Sequence, residues 1–203
     1  SSSAGVTVLA NGNYVVFSPY WDNGALQEAG AVTWGSAEHG VSGDVSPSNS
    51  LVGSSAGNMG SYGITPLANG HYLVRNLLGI TWCNGVTGRT GELAANHTLL
   101  GYGYSYTLTP LPSGNFLIVD PDAKVGTQSY VGAVTWIDGS HESSGTFNPA
   151  NSLVGSSLGD FVGSKVLVLS NGNYVILGSG TVAESSTWAN GTTGIRGVVS
   201  DQN

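Results

Sequence analysis

Charge is scarce in this chain: Asp, Glu, Lys and Arg make up 8% of its 203 residues, against roughly a quarter in an average soluble protein. Two lysines (Lys124, Lys165) and five glutamates leave few of the side chains that clothe a solvent-facing helix, so helix is disfavoured. Cysteine is down to Cys83 alone, which excludes an internal disulfide. Five basic residues against twelve acidic ones give a net charge of −7, the wrong sign for a partner held through its phosphates. Nucleic acid and anionic membranes are therefore not expected as partners. No run of the sequence approaches the roughly 18 apolar residues of a membrane span, so no membrane insertion is expected. What is abundant is glycine, 32 residues, together with Ser, Thr, Asn, Val, Tyr and Trp. That composition suits short strands joined by tight turns, and with 40% apolar residues it is enough to bury a core. The expected class is all-β.

Internal repeats set the architecture. Asn11-Gly12-Asn13-Tyr14 returns as Asn69-Gly70-His71-Tyr72, Ser113-Gly114-Asn115-Phe116 and Asn171-Gly172-Asn173-Tyr174. Between these marks stand Thr33-Trp34, Thr81-Trp82, Thr135-Trp136 and Thr187-Trp188, then Leu51-Val52-Gly53, Leu99-Leu100-Gly101 and Leu153-Val154-Gly155. A shift of 102 superposes the first eighty positions on the second half without a gap, with about a third of the pairs identical. The chain is thus two similar halves of two repeats, with bounds near 1–57, 58–104, 105–159 and 160–203. The odd repeats carry a long connection, Ser18 to Ala29 and Asp120 to Val131, that the even repeats lack.

Repeat one reads as four short strands, Ser3–Ala10, Asn13–Ser18, Gly30–Trp34 and Ser50–Ser54. Asn11-Gly12 joins the first two, and this pair predicts a two-residue type I′ turn. Such four-stranded units of roughly fifty residues cannot bury both faces alone and usually stack as propeller blades. The expectation is one β-propeller domain of four blades, or half of a larger ring. The fourth Leu-Val-Gly strand would begin at Asn203, so the fourth blade is expected to lack its outer strand. The N-terminal serines, a neighbouring segment or a second copy of the chain would then cover its edge.

These residues carry a resemblance. The frame Gly155-Ser-Ser-Leu-Gly159-Asp160-Phe161-Val162-Gly163, followed by a strand and Asn171-Gly172-Asn173-Tyr174, resembles the FG-GAP blade of integrin-α-type propellers. So do Ser18-Pro19-Tyr20-Trp21-Asp22-Asn23-Gly24 and Gly30-Ala31-Val32-Thr33-Trp34 in repeat one. The likeness is closer still to the short propeller repeat of filamentous-haemagglutinin-type bacterial surface proteins. It implies a propeller on the outside of a cell, secreted or surface-bound. Calcium-binding FG-GAP blades carry an Asp-x-Asp-Gly-Asp-type loop where this chain has Asn11, Gly12 and Asn13, which argues against structural calcium.

Most marked residues have a structural reading. The four Thr-Trp pairs recur at one strand position, as packing between blades requires. Trp21 has no counterpart, since the shift places Ala123 there. It stands in a long loop with Tyr20, Asp22 and Asn23, and aromatic rings beside carboxylate and amide groups suit the apolar face and hydroxyls of a sugar. The third-repeat loop supplies Asp120, Asp122 and Tyr130. Asp120-Pro121-Asp122 reads as a turn before it reads as a cation site. His39 and His141 are equivalent, but no His-x-x-x-His spacing occurs and no nucleophile motif groups Ser, His and Asp. Cys83, beside Trp82, reads as buried and inert.

The sequence thus predicts a non-catalytic, lectin-like module with no cofactor and no metal. Its partner is a carbohydrate or cell-surface glycan, held by Tyr20, Trp21, Asp22, Asn23, Asp120, Asp122 and Tyr130. The alternative is a structural or adhesive segment of a large surface protein that self-associates through an open blade edge. A glycoside-processing propeller enzyme is the third reading.

Overall fold

The computed structural model describes residues 5–59, 63–100, 105–180 and 184–199. Among them the chain is all-β, with four repeats, four sheets and no α-helix. Repeat one holds β1 (Gly5–Val8), β2 (Tyr14–Ser18), β3 (Ala31–Gly35) and β4 (Ser50–Val52). Repeat two holds β5 (Ile64–Pro66), β6 (Tyr72–Asn76), β7 (Gly79–Cys83), β8 (Gly91–Glu92) and β9 (Thr98–Leu100). Repeat three follows with β10 (Thr107–Pro110), β11 (Phe116–Asp120), β12 (Ala133–Ile137), β13 (Gly145–Thr146) and β14 (Leu153–Val154). Repeat four contributes β15 (Lys165–Val168), β16 (Tyr174–Ser179), β17 (Glu184–Ala189) and β18 (Gly197–Val198). The four strands read in repeat one are present: β1 ends at Val8, β2 and β4 are shorter than read, and β3 is shifted by one residue. The N-terminal serines and Asn203, where a fourth outer strand was expected, lie outside the described residues.

Each repeat opens with an antiparallel three-strand meander, as in β1-β2-β3 with Val8 opposite Tyr14 and Val15 opposite Trp34. The hairpin turn differs from the expected type I′. Gly12 N–H donates to Leu9 O and Leu9 N–H to Asn13 O, and within the turn only Gly12 has positive φ, at 88°. This is a three-residue loop, a type I turn followed by a left-handed glycine bulge. Asn11 Oδ1 accepts the Asn13 N–H at 3.2 Å, an Asx bond that favours this turn. The same backbone pair of bonds recurs at Gly70, Gly114 and Gly172.

A fourth strand completes the meander and is then extended by the following repeat. β4 pairs antiparallel with β3 and parallel with β8, giving the order β1-β2-β3-β4-β8. Likewise β14 pairs with β12 and, in parallel, with β18. In three of the four sheets the Thr of the Thr-Trp pair bonds the incoming fourth strand: Thr33 to Ser50 at 2.7 Å, Thr81 to Thr98 at 2.9 Å and Thr135 to Ser152 at 2.7 Å, all between hydroxyls. These hydroxyls are buried, and pairing them removes the cost of desolvating each alone.

The chain divides into two compact units, one of residues 1–100 with 139–145, the other of residues 101–138 with 146–203. In the first, Leu9, Val15, Phe17, Val32 and Leu51 of repeat one share a core with Tyr72, Val74 and Cys83 of repeat two. In the second, Leu111, Leu117, Val119 and Val134 of repeat three share one with Tyr174, Ile176 and Ala189 of repeat four. Within each unit the trailing face of the first repeat is therefore covered by the leading face of the second. Cys83 is fully buried, and burial pushes its thiol up to about 12.

The Trp residues lie at this junction. Trp34 Nε1 donates to Gly85 O at 3.0 Å, Trp82 Nε1 to Gly139 O at 2.9 Å and Trp136 Nε1 to Gly191 O at 3.1 Å. The acceptor always stands three residues after the next repeat's Trp. The hairpin residues reach the same carbonyl: Asn11 and Asn13 Nδ2 meet Gly85 O at 2.8 and 2.9 Å, and Asn69 Nδ2 meets Gly139 O at 2.8 Å. Asn115 Nδ2 meets Gly191 O at 3.2 Å. The Asn-Gly-Asn motif is thus a clamp as well as a turn. Trp188 departs from the packing role expected of all four, being 56% exposed, because none of the described residues supplies the covering turn.

Candidate functional site

The odd-repeat loops between the second and third strands of the meander are longer than their even-repeat counterparts, and each is pinned at several points. In repeat one Trp21 N–H donates to Ser18 O, Gly30 N–H returns to Trp21 O, and Asn23 and Leu26 exchange both backbone bonds at 3.0 Å. Asp22 Oδ1 accepts the Glu28 N–H at 2.8 Å and Asn23 Nδ2 donates to Gly53 O at 3.1 Å. Ala29 O lies only 2.0 Å from where a Cβ on Gly53 would sit, so glycine alone permits this approach. The loop is held against the fourth strand and presents Tyr20, 65% exposed, with Asp22 exposed beside it. Trp21 is half-buried.

The repeat-three loop follows the same path, with Val125 and Gln128 exchanging the corresponding bonds. Here the position of Trp21 belongs to Ala123, which is buried against Ala133 and Val154. Asp120 is buried at 1% exposure and its Oδ1 accepts the Asp122 N–H at 3.2 Å. It shapes the turn and is not available to a ligand, which corrects its assignment as a hydroxyl-binding group. Asp122 is exposed and its Oδ2 accepts from Ser105 Oγ at 3.1 Å.

Glu28 and Tyr130, equivalent under the 102 shift, both have left-handed backbones, φ 52° and 58°. Non-glycine residues in this region cost roughly 1 kcal/mol or more and persist only where surrounding bonds hold them. Those bonds are visible: Glu28 O accepts from Gly57 N–H, and Tyr130 O accepts from both Gly159 and Phe161 N–H. Tyr130 is 50% exposed, and its ring centroid lies 5.7 Å from that of Phe161. Phe161 is itself left-handed at φ 45°.

Tyr130 and Phe161 form a two-ring surface in the second unit, and Tyr20, Asp22 and Asn23 gather in the first. Phe161 was not singled out as a site residue because its counterpart in repeat two, Met59, is an apolar residue of the core type, and Met59 is fully buried. The signal for Phe161 was an aromatic replacing an aliphatic at a repeat position.

One further charged group stands in the first unit. Glu142 Oε1 meets Arg89 Nη1 at 3.2 Å and His97 Nδ1 at 2.5 Å. Burial works to raise the Glu142 carboxyl, but the hydrogen bonds from Arg89 and His97 outweigh it and hold it below the usual carboxylate range. No cluster of His, Cys, Asp and Glu able to hold a metal occurs among the described residues.

Fold and junction together define an all-β tandem-repeat protein in which repeats one to three each lay a Trp indole and an Asn side chain on a backbone carbonyl three residues past the following Trp. A family model described as a repeat of unknown function, DUF5650, matches residues 8–62, 79–105, 110–164 and 168–203. The chain belongs to that repeat family. No curated protein and no solved structure matches it.

Proposed function

We propose that this chain is a non-catalytic carbohydrate-binding module of the cell exterior, its repeats acting as propeller-type blades and its odd-repeat loops as the binding surface. The observation that carries the reading is the pinned first loop, which holds a Tyr20 ring 65% exposed next to the exposed Asp22 carboxylate. An aromatic ring kept in water at one fixed position, with an acceptor beside it, offers a platform for a sugar's C–H face and a partner for its hydroxyls. Pinning lowers the entropy that binding must overcome. Tyr130 and Phe161 offer a second aromatic surface of the same class. The likeness to FG-GAP and haemagglutinin-type repeats points the same way, toward secreted or surface-bound display.

A glycan array with the purified chain, read with and without chelator, tests this. Selective signal that survives chelator and falls at least about tenfold in Tyr20→Ala supports it. A blank array, or binding indifferent to both Tyr20→Ala and Tyr130→Ala, overturns it.

A further inference from the structure

We infer that repeat four and repeat one carry the two unmatched halves of one junction, and that a second copy of this chain docks its repeat one on Trp188. This is independent of the carbohydrate reading. Within each unit the trailing face of one repeat is covered by the leading face of the next, and at both places Tyr72 and Tyr174 of the leading face are fully buried. Their counterpart in repeat one, Tyr14, is only half-buried, and Val6, beside it on the leading face, is 66% exposed although Ile64 and Val166 pack against the cores.

The opposite face is open in repeat four. Leu169, equivalent to the buried Leu9 and Leu111, is 36% exposed, and Trp188 is 56% exposed. Asn171 and Asn173 stand where Asn11 and Asn13 clamp Gly85 O. Among the described residues neither their Nδ2 groups nor Trp188 Nε1 meets an acceptor, although the two Asn Oδ1 atoms hold the Asn173 and Gly191 N–H groups.

Repeat one supplies what this donor set lacks. Counting three residues from Trp34, as Gly85, Gly139 and Gly191 are counted from their own Trp, leads to Ala37, which is exposed. Six residues on stands Gly40 at φ 69°, matching Gly88 and Gly194 at 73° and 68°. A Cβ on either of those two would strike the preceding Trp34 or Trp136 ring system within 3 Å, so glycine is the seat of the incoming indole. Seven residues on, Val41 is 41% exposed, whereas its equivalent Ile195 packs in the repeat-three and repeat-four core with Trp136. Nine residues on, Gly43 at φ 88° matches Gly91 and Gly197, the first residues of β8 and β18 that pair with the preceding repeat. Donor and acceptor differ in kind, so the contact is head-to-tail and generates chains or rings of copies.

The test is sedimentation of the whole chain across a concentration series. The expected result is a mass that rises with concentration, with Trp188→Ala and Val41→Glu each weakening association at least about tenfold while keeping the parent circular dichroism. Each variant retains one half of the junction, so an equimolar mixture of the two should give 1:1 dimers and nothing larger. That pairing distinguishes a lost contact from a lost fold. A parent chain monomeric at every concentration overturns the proposal, whether Trp188 is then quenched by acrylamide as an open residue or protected by closure within one molecule. So does assembly unaffected by either variant.

Discussion

A methyl group has no place at Gly85: a Cβ there would stand 1.6 Å from Gly70 O. Gly191 is as tight, with 1.9 Å to Gly172 O. These glycines bring the clamped carbonyl flush with the hairpin of their own repeat. Gly85→Ala is expected to destabilise the first unit by about 2–3 kcal/mol, read as a lower denaturant midpoint. Trp34→Phe, which keeps the ring but removes the N–H to Gly85 O, should cost about 1 kcal/mol, since Asn11 and Asn13 still satisfy the acceptor. Tyr174 provides the contrasting case. Among the described residues its buried hydroxyl finds no well-formed hydrogen-bond partner, and the equivalent residue in repeat three is Phe116, fully buried as well. Tyr174→Phe should leave stability within about 1 kcal/mol of the parent or raise it. At this scale the sequence showed that Asn, Gly and Trp recur, but it gave no reason for the glycine three residues after Trp. The atoms that forbid a side chain at Gly85 lie in a hairpin fifteen residues earlier, and the donors it serves lie fifty or more residues away.

Elements were more legible than contacts. Strand positions follow from turn residues and β-branched runs, and these are local. The hairpin type was missed because Asn-Gly suits both a type I′ turn and a type I turn with a glycine bulge. What decides is where the Asn side chains must point, and they point at the next repeat. The β5–β6 hairpin also carries the one histidine among the four equivalent Asn or His positions. His71 Nδ1 accepts the Gly85 N–H at 3.1 Å, the role Asn173 Oδ1 plays for Gly191. Burial lowers the His71 pKa, so the fold favours the neutral ring. Its contribution is complete above the unfolded value near 6.5 and is lost as pH falls from there through the lowered folded value. His71→Asn keeps the acceptor and removes the titration. Thermal unfolding should therefore show a step in midpoint below about pH 6.5 in the parent that is absent in this variant. Glu142 acts in the same direction lower down: its folded pKa is depressed, so what it contributes through Arg89 and His97 is present above the ordinary carboxylate range and lost as pH falls through its folded value. Glu142→Gln should flatten that acid limb and leave the His71 step in place.

For the whole molecule, the all-β class was readable from composition and the four repeats from periodicity, because repeats that pack through the same kind of face must repeat the pattern that makes it. The candidate site was readable only in part. Tyr20, Asp22 and Tyr130 are presented to solvent, while Asp120 is spent on a turn and the amide of Asn23 on Gly53 O. Side-chain type tells which groups are able to bind a ligand, but a loop that must pin itself consumes some of the same groups, and the backbone path decides which. The assignment of residues 139–145 to the first unit was not legible at all, since it depends on Gly139 serving as the carbonyl for Trp82 and Asn69.

The junction also bears on how many repeats such a protein has. The same junction occurs three times, its Trp donated from repeats one to three and its carbonyl always three residues past the following Trp. Joining two chains at equivalent positions of neighbouring repeats therefore leaves each remaining donor facing a correct acceptor. Recombination between copies that adds or removes whole repeats would keep this junction intact, so the junction by itself sets no limit on copy number.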